Sequence, residues 1–140
     1  MRRKLQIRRH SRRGAAMVEF ALVSPLFLCL IVGIVEVGRA VVVQQLLTNA
    51  SREGVRIASY DSTTQTATVT SAVNAYLSNV GIKGATTTIS PSGLSSLADG
   101  QSVSVSVSVP FTSVSLLPTP ILLGDKTLQA TSVMCREPAP

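Results

Sequence analysis

The spacing of apolar positions changes character several times along the chain. Residues 20 to 35 carry no charge, sixteen in succession, and widening the window to 15–37 gives 23 residues interrupted only by Glu19 and Glu36. At about 1.5 Å per residue such a helix reaches roughly 35 Å, enough to cross a hydrocarbon core of about 30 Å with some tilt. Pro25 lies inside the run. It removes a donor and frees the carbonyl of Ala21, so a kink or a loosened turn is expected there. A membrane tolerates that where a neighbouring helix or the adjacent Ser24 hydroxyl takes up the freed groups.

The helical period outlasts the uncharged run. Val43, Leu47, Ala50, Gly54 and Ile57 recur at spacings of four, three, four and three, which is one narrow stripe on a helix. Gln44, Gln45, Asn49, Ser51, Arg52, Glu53 and Arg56 lie between them and predict a polar face. Glu36 with Arg39, and Glu53 with Arg56, stand three apart and are expected to form weak intrahelical pairs or interfacial anchors. The simplest account is one helix from about residue 15 to about 59, its first half in lipid and its second in water. A helix that long needs a packing partner.

Asp61 to Thr64 then break the pattern, with Asp61 or Ser62 the expected cap of a second amphipathic helix carrying Val69, Val73, Tyr76, Leu77 and Val80 and ending near Gly81. After Gly84 the period falls to two. ATTTIS (85–90) is β-branched, QSVSVSVSV (101–109) alternates valine with serine as a strand with one buried face does, and TLQATSVM (127–134) is a third strand in weaker register. Residues 110–125 form an apolar, proline-rich connection too broken for strand or helix, either packed on the sheet or exposed. The expected fold class is therefore α+β: a long N-terminal helix, transmembrane in its first half, a second amphipathic helix, and a small antiparallel three-stranded sheet.

Charge sharpens the layout. The 140-residue chain has a formal net charge of +6, which by itself suggests nucleic acid or anionic lipid as partner. Seven of its thirteen basic residues precede Gly14, where there is no acid, while the remainder carries six basic residues against seven acidic ones. The basicity thus belongs to a short arm, without interleaved aromatics, that flanks an apolar run. This is the positive-inside pattern of a membrane protein and not that of a nucleic-acid binder. The division that follows is a basic cytoplasmic leader (1–14), a transmembrane helix (15–38), its continuation outside the cytoplasm (39–60) and a small α/β domain (61–140), with membrane lipid as the first partner and no nucleic acid.

Chemistry of the catalytic kind is sparse. The one histidine, His10, lies in the basic arm, the acids are scattered singly, and no Cys/His spacing suits a metal, so no enzyme, cofactor or metal is expected. Cys29, inside the apolar run, and Cys135 read as two free thiols, Cys29 acting as a small hydrophobe. Asn49-Ala50-Ser51 fits a glycosylation triplet but falls mid-helix.

Four processing readings compete for the N-terminus. A secretory signal needs a shorter apolar core, Leu28 before Cys29 is too large for lipoprotein processing, and Ala15 and Ala16 stand where a twin-arginine signal usually has bulky residues. The fourth takes Gly14 as the end of a leader and Ala15 as the first mature residue, which makes Glu19 the fifth.

The run Gly14-Ala15-Ala16-Met17-Val18-Glu19-Phe20 resembles a type IV prepilin cleavage region, and the continuation ALVSPLF, GIVEVGRAV and NASREGVRIA resembles more narrowly the TadE-like minor pseudopilins of the tight-adherence (Tad/Flp) pilus machinery. The resemblance covers about residues 12–58, and beyond residue 60 it is one of layout only. It implies cleavage after Gly14 by a prepilin peptidase and partnership with a major Flp-type pilin, a sibling pseudopilin and a secretion ATPase with its inner-membrane platform. It further implies residence in the bacterial inner membrane with the N-terminus cytoplasmic, in an adhesion-related assembly. Gly14 and Ala15 are then the processing residues, and Glu19, Phe20 and Pro25 serve assembly. A lone carboxylate in hydrocarbon costs about 2.5 kcal/mol or more, and Glu19 can offset that by meeting the new ammonium on Ala15 of a neighbouring subunit. The alternative is an uncleaved single-pass anchor whose outer domain binds a partner, with Glu19 snorkelling to the headgroups.

Overall fold

The computed structural model describes residues 11–60, 65–98 and 100–136. Five regular elements follow in order: helix α1 (Ser11–Ser59), helix α2 (Thr66–Asn79) and strands β1 (Thr86–Ser90), β2 (Ser102–Pro110) and β3 (Thr127–Cys135). The architecture is α+β, as the periodicities predict. The basic arm up to His10 and the expected capping residues Asp61 and Ser62 lie outside the described residues.

The chain divides into two units, the boundary falling after Val35 and so inside α1. In the first unit α1 is helical without a break through Pro25. Its apolar side chains are laid open rather than packed: Phe20, Leu22 and Leu26 are each 74% exposed. None of the most apolar 18-residue window of α1 is buried. A helix hydrophobic on all sides is stable only where its surroundings are apolar, which is the condition a bilayer supplies.

The second unit, from Glu36 onward, holds the core. Val43, Leu47, Ala50 and Gly54 of α1 are buried as the stripe predicts, Ile57 is half-buried, and Val55 and Ala58 widen the contact. α2 contributes Val69, Val73 and Leu77, whereas Tyr76 is half-buried and Val80 exposed, so the buried stripe of α2 is narrower than its sequence suggests. Gln65 is the N-cap residue of α2 and makes no side-chain cap bond. At its C-terminal end the N–H of Ile82 bonds the Leu77 carbonyl at 2.8 Å, with Gly81 at φ 77° between them, the left-handed position that glycine occupies without a Cβ penalty.

The sheet is antiparallel throughout, in the order β1-β2-β3. Val103, Val105, Val107 and Val109 are all fully buried, and the serines between them face the other way. The register pairs Val105 with Ile89 on one side and with Ser132 on the other, and Val107 with Thr87 and Ala130. The valine face of β2 thus continues across both neighbours and meets the helices. On the opposite face Ser106 Oγ accepts from Gln129 Nε2 at 2.8 Å and from Thr131 Oγ1 at 3.0 Å, a polar ladder fit for water.

Two features depart from the sequence reading. Ser51, placed on the polar face of α1 by its neighbours, is buried, its hydroxyl bonded to the Thr48 carbonyl at 2.9 Å and to Ser132 Oγ at 2.8 Å. Among the described residues it is one of two points where α1 hydrogen-bonds β3, the other being Gln44 Nε2 to the Gln129 carbonyl at 2.7 Å, and its own small hydroxyl satisfies the contact. The 110–125 connection, expected to hold no regular structure, contains one short 3₁₀ turn at Phe111–Ser113. Phe111 and Val114 are buried beneath it while Leu116, Ile121 and Leu122 stay exposed. The connection is both packed and open, in different parts.

Candidate membrane and assembly segment

Gly14, Ala15, Glu19, Phe20 and Pro25 are carried on one uninterrupted stretch of α1, and all are exposed. Nothing lies within 4 Å of where a Cβ on Gly14 would stand. Backbone helicity begins at Ser11, so the bond after Gly14 is helical. A peptidase that binds its substrate extended must first unwind this turn. Ala15 and Glu19 are four apart and therefore neighbours on one face of the helix. Phe20 and Pro25 lie on other faces and do not join them. The structure places Ala15 and the Glu19 carboxylate one turn apart on a helix whose following turns are apolar. It supplies no catalytic group there, and among the described residues no cluster of His, Cys, Asp and Glu could hold a metal.

A second polar arrangement, in the folded unit, corrects the reading of Glu36 and Arg39. They do not pair with each other. Glu36 is 1% exposed, and its two carboxylate oxygens accept the backbone N–H groups of Ile121 at 2.5 Å and Leu122 at 2.9 Å. Arg39 Nε donates to the Val114 carbonyl at 2.9 Å. Two charged side chains on successive turns of α1 therefore clasp the backbone of the 110–125 connection. Each carboxylate oxygen of Glu36 takes one of two adjacent backbone donors, and the Arg39 guanidinium is committed to the Val114 carbonyl instead.

The sequence does hold a signal for this clasp. Glu36 is an acid bordering an apolar window, and the proline-rich connection, with Pro118 and Pro120, has no helix or strand to occupy its amides. A distant acceptor is the complement of such a segment, although nothing in the spacing identifies which one.

Further along α1 the expected pair of Glu53 and Arg56 is formed, with Arg56 Nη2 to Glu53 Oε1 at 2.8 Å and Arg56 Nε to Glu53 Oε2 at 3.1 Å. The bidentate hydrogen bonding from Arg56 holds the Glu53 carboxyl below the ordinary glutamate range. The same bonds raise the already high pKa of Arg56. Arg56 also donates to the Tyr60 hydroxyl at 3.0 Å and lies 5.9 Å from its ring centre. This cluster is open to solvent and ties down the last turn of α1. Cys29 and Cys135 are both free and exposed.

The family model described as TadE-like protein matches residues 14–56, a segment that begins at Gly14 and ends at Arg56. No match to the chain was found among curated proteins or among solved structures. The matched family is one of structural components of the Tad pilus, and the long apolar first part of α1 fits a single-pass membrane protein. Over residues 14–56 the chain is similar to the TadE-like family, and the remainder of the chain lies outside that match.

Proposed function

We propose that this protein is a minor pseudopilin, a non-enzymatic component that helps to build a Tad-type pilus, and that a prepilin peptidase removes the segment up to Gly14. The observation that carries this reading is the family match starting at Gly14 and covering the whole exposed apolar helix together with Glu19. In this reading residues 15–38 span the inner membrane, the N-terminus is cytoplasmic, and the domain of α2 and the sheet lies on the other side. The partners are the peptidase, a major Flp-type pilin, a sibling pseudopilin and the secretion ATPase with its membrane platform.

Glu19 has two tasks in sequence. Before assembly it stands one turn from Ala15 and holds the new ammonium of its own chain. In the assembly it meets the Ala15 ammonium of a neighbouring subunit, which sets the axial register of the packed helices. Either partner offsets the cost of a carboxylate in hydrocarbon.

The second reading, an uncleaved single-pass anchor, is favoured by the helical backbone from Ser11 across the bond to be cut. Intact mass and the N-terminal residue of the protein extracted from native membranes separate the two. A chain starting at Ala15 is expected. A chain that keeps its basic arm in cells expressing the peptidase rules out the pseudopilin and leaves the anchor.

A further inference from the structure

The connection between β2 and β3 has no charged residue from 110 to 124, and three of its large apolar side chains are open: Leu116 (68% exposed), Ile121 (71%) and Leu122 (60%). Apolar side chains exposed to this degree are unfavourable in water, and the base of the same connection is firmly held, with Phe111 and Val114 buried. The tip is therefore presented by a fixed support.

Its backbone is equally unusual. The N–H of Val114 and that of Ser115 both bond the Phe111 carbonyl, at 3.1 and 2.9 Å, and the Leu117 N–H bonds Ser115 Oγ at 3.0 Å. Pro118 and Pro120 have no N–H to satisfy. The amides of Ile121 and Leu122 are taken by Glu36. The donors named here are satisfied without water, the requirement for irregular backbone that leaves water for lipid.

The bonds also fix where along α1 the tip stands. Val114 is held at Arg39, and Ile121 and Leu122 are held one turn nearer the apolar run, at Glu36. Glu36 follows directly on Val35, the last residue of the uncharged stretch. Val37 and Val41, just beyond it on α1, are half-exposed apolar residues, so the apolar surface continues to this level.

We propose that this tip is a membrane-interface anchor. Leu116, Ile121 and Leu122 enter the headgroup and upper acyl region of the leaflet that faces the domain, and Glu36 holds them at that depth. The assignment rests on reading the preceding helix as a bilayer span. Lipid is the occupant because the tip is bonded to Glu36, in the last turn of the span, and because it lacks the charges that a protein partner in water would use for specificity.

The chain has no tryptophan, so single tryptophans report position directly. Full-length Ile121→Trp, Leu26→Trp and Val133→Trp are reconstituted separately, at low protein-to-lipid ratio, in phosphatidylcholine–phosphatidylglycerol vesicles with lipids brominated at shallow or deep acyl carbons. Val133 is an exposed strand residue and controls for any intrinsic preference of tryptophan for the interface. Loss of Ile121→Trp emission in shallow-brominated lipid, with a blue shift and no loss for Val133→Trp, is the expected result. Quenching of Leu26→Trp by deep bromines without quenching of Ile121→Trp overturns the anchor and leaves the span intact. Absence of quenching at Leu26→Trp removes the span and the anchor together. A blue-shifted Ile121→Trp that no bromine quenches means protein covers the tip, which also overturns the proposal.

Discussion

Gly54 of α1 faces Val73 of α2 so closely that a Cβ on the glycine would stand 2.6 Å from Val73 Cγ2, and 3.0 Å from Val105 Cγ1 of β2. The two helices and the sheet converge on this hydrogen atom. Glycine inside a helix ordinarily costs up to about 1 kcal/mol relative to alanine, and here the absence of a side chain is what permits the approach. The obstructing methyl groups belong to fully buried, β-branched valines, whose χ1 is stiff.

Gly54→Ala is therefore expected to destabilise the folded unit despite the gain in helix propensity. Overpacking of a tight core costs about 1–3 kcal/mol, which against a propensity gain of up to about 1 kcal/mol leaves a net loss of up to about 2 kcal/mol and a fall in Tm of several degrees. Gly38 is the internal control, since nothing lies within 4 Å of its Cβ position and it too is helical. Gly38→Ala should leave Tm unchanged or raise it. Thermal unfolding of both variants in the same detergent checks the pair, and equal effects at the two positions would contradict the packing account.

The clasp on the 110–125 connection makes a different prediction. Glu36→Gln keeps the shape of the side chain but turns one acceptor into a donor that faces a backbone N–H, so one of the two amides of Ile121 and Leu122 is left without a partner. Tm should fall, and limited proteolysis between Leu116 and Leu123 should accelerate while cleavage in β2 and β3 does not. Glu36→Ala, which orphans both amides, should be worse on each readout. A connection equally resistant in all three proteins would show that the carboxylate is not what holds it.

These two sites differ in how far the sequence discloses them. The valine–serine alternation of β2 dictates a buried face, and Val103 to Val109 occupy it. The stripe from Val43 to Gly54 was legible for the same reason, because burial repeats at the period of the helix. Glu36 was not legible. Local rules pair it with Arg39, three residues on, whereas both side chains reach a segment about eighty residues away. Spacing reports neighbours along an element, and the prolines of an irregular loop signal unoccupied amides without saying which distant acceptor takes them. Ser51 was misplaced by the same limit, since a small hydroxyl looks the same whether it faces water or a serine on the next strand. For the candidate assembly segment the sequence was the richer source: Gly14, Ala15, Glu19, Phe20 and Pro25 stand out as residues, while the structure adds only that they are exposed on one continuous helix.

The Glu53–Arg56 pair gives stability a definite pH dependence. Arg56 holds the folded-state pKa of Glu53 below the ordinary value of about 4.5. The unfolded chain therefore takes up the proton first as pH falls, so the contribution is fully present above about 4.5 and is lost as pH drops through the lowered folded value. Glu53→Gln should lie slightly below the parent protein in Tm near neutral pH and converge with it in strong acid. High salt should narrow the gap at neutral pH, because the pair is solvent-exposed. A gap that widens on acidification would mean that the carboxylate is stabilised by something other than Arg56.

Glu19 carries the most specific consequence of the proposed function. It is exposed on an apolar helix, four residues from Ala15, and an unpaired carboxylate in hydrocarbon is unfavourable, by about 2.5 kcal/mol at the centre of a span and less near its end. Replacing it with alanine removes that cost from the isolated subunit, so Glu19→Ala should insert in the membrane and lose its leader at least as readily as the parent chain. Its incorporation should fail, because the Ala15 ammonium exposed by cleavage then meets no carboxylate on the neighbouring helix. Glu19→Gln retains an acceptor without the charge and is expected to fall between the two. The readout is the amount of mature subunit that co-purifies with the major pilin or the sibling pseudopilin, normalised to mature subunit in the membrane. Normal recovery of mature Glu19→Ala in the assembly would separate the carboxylate from register-setting and leave it as a side chain that only reaches for the headgroups.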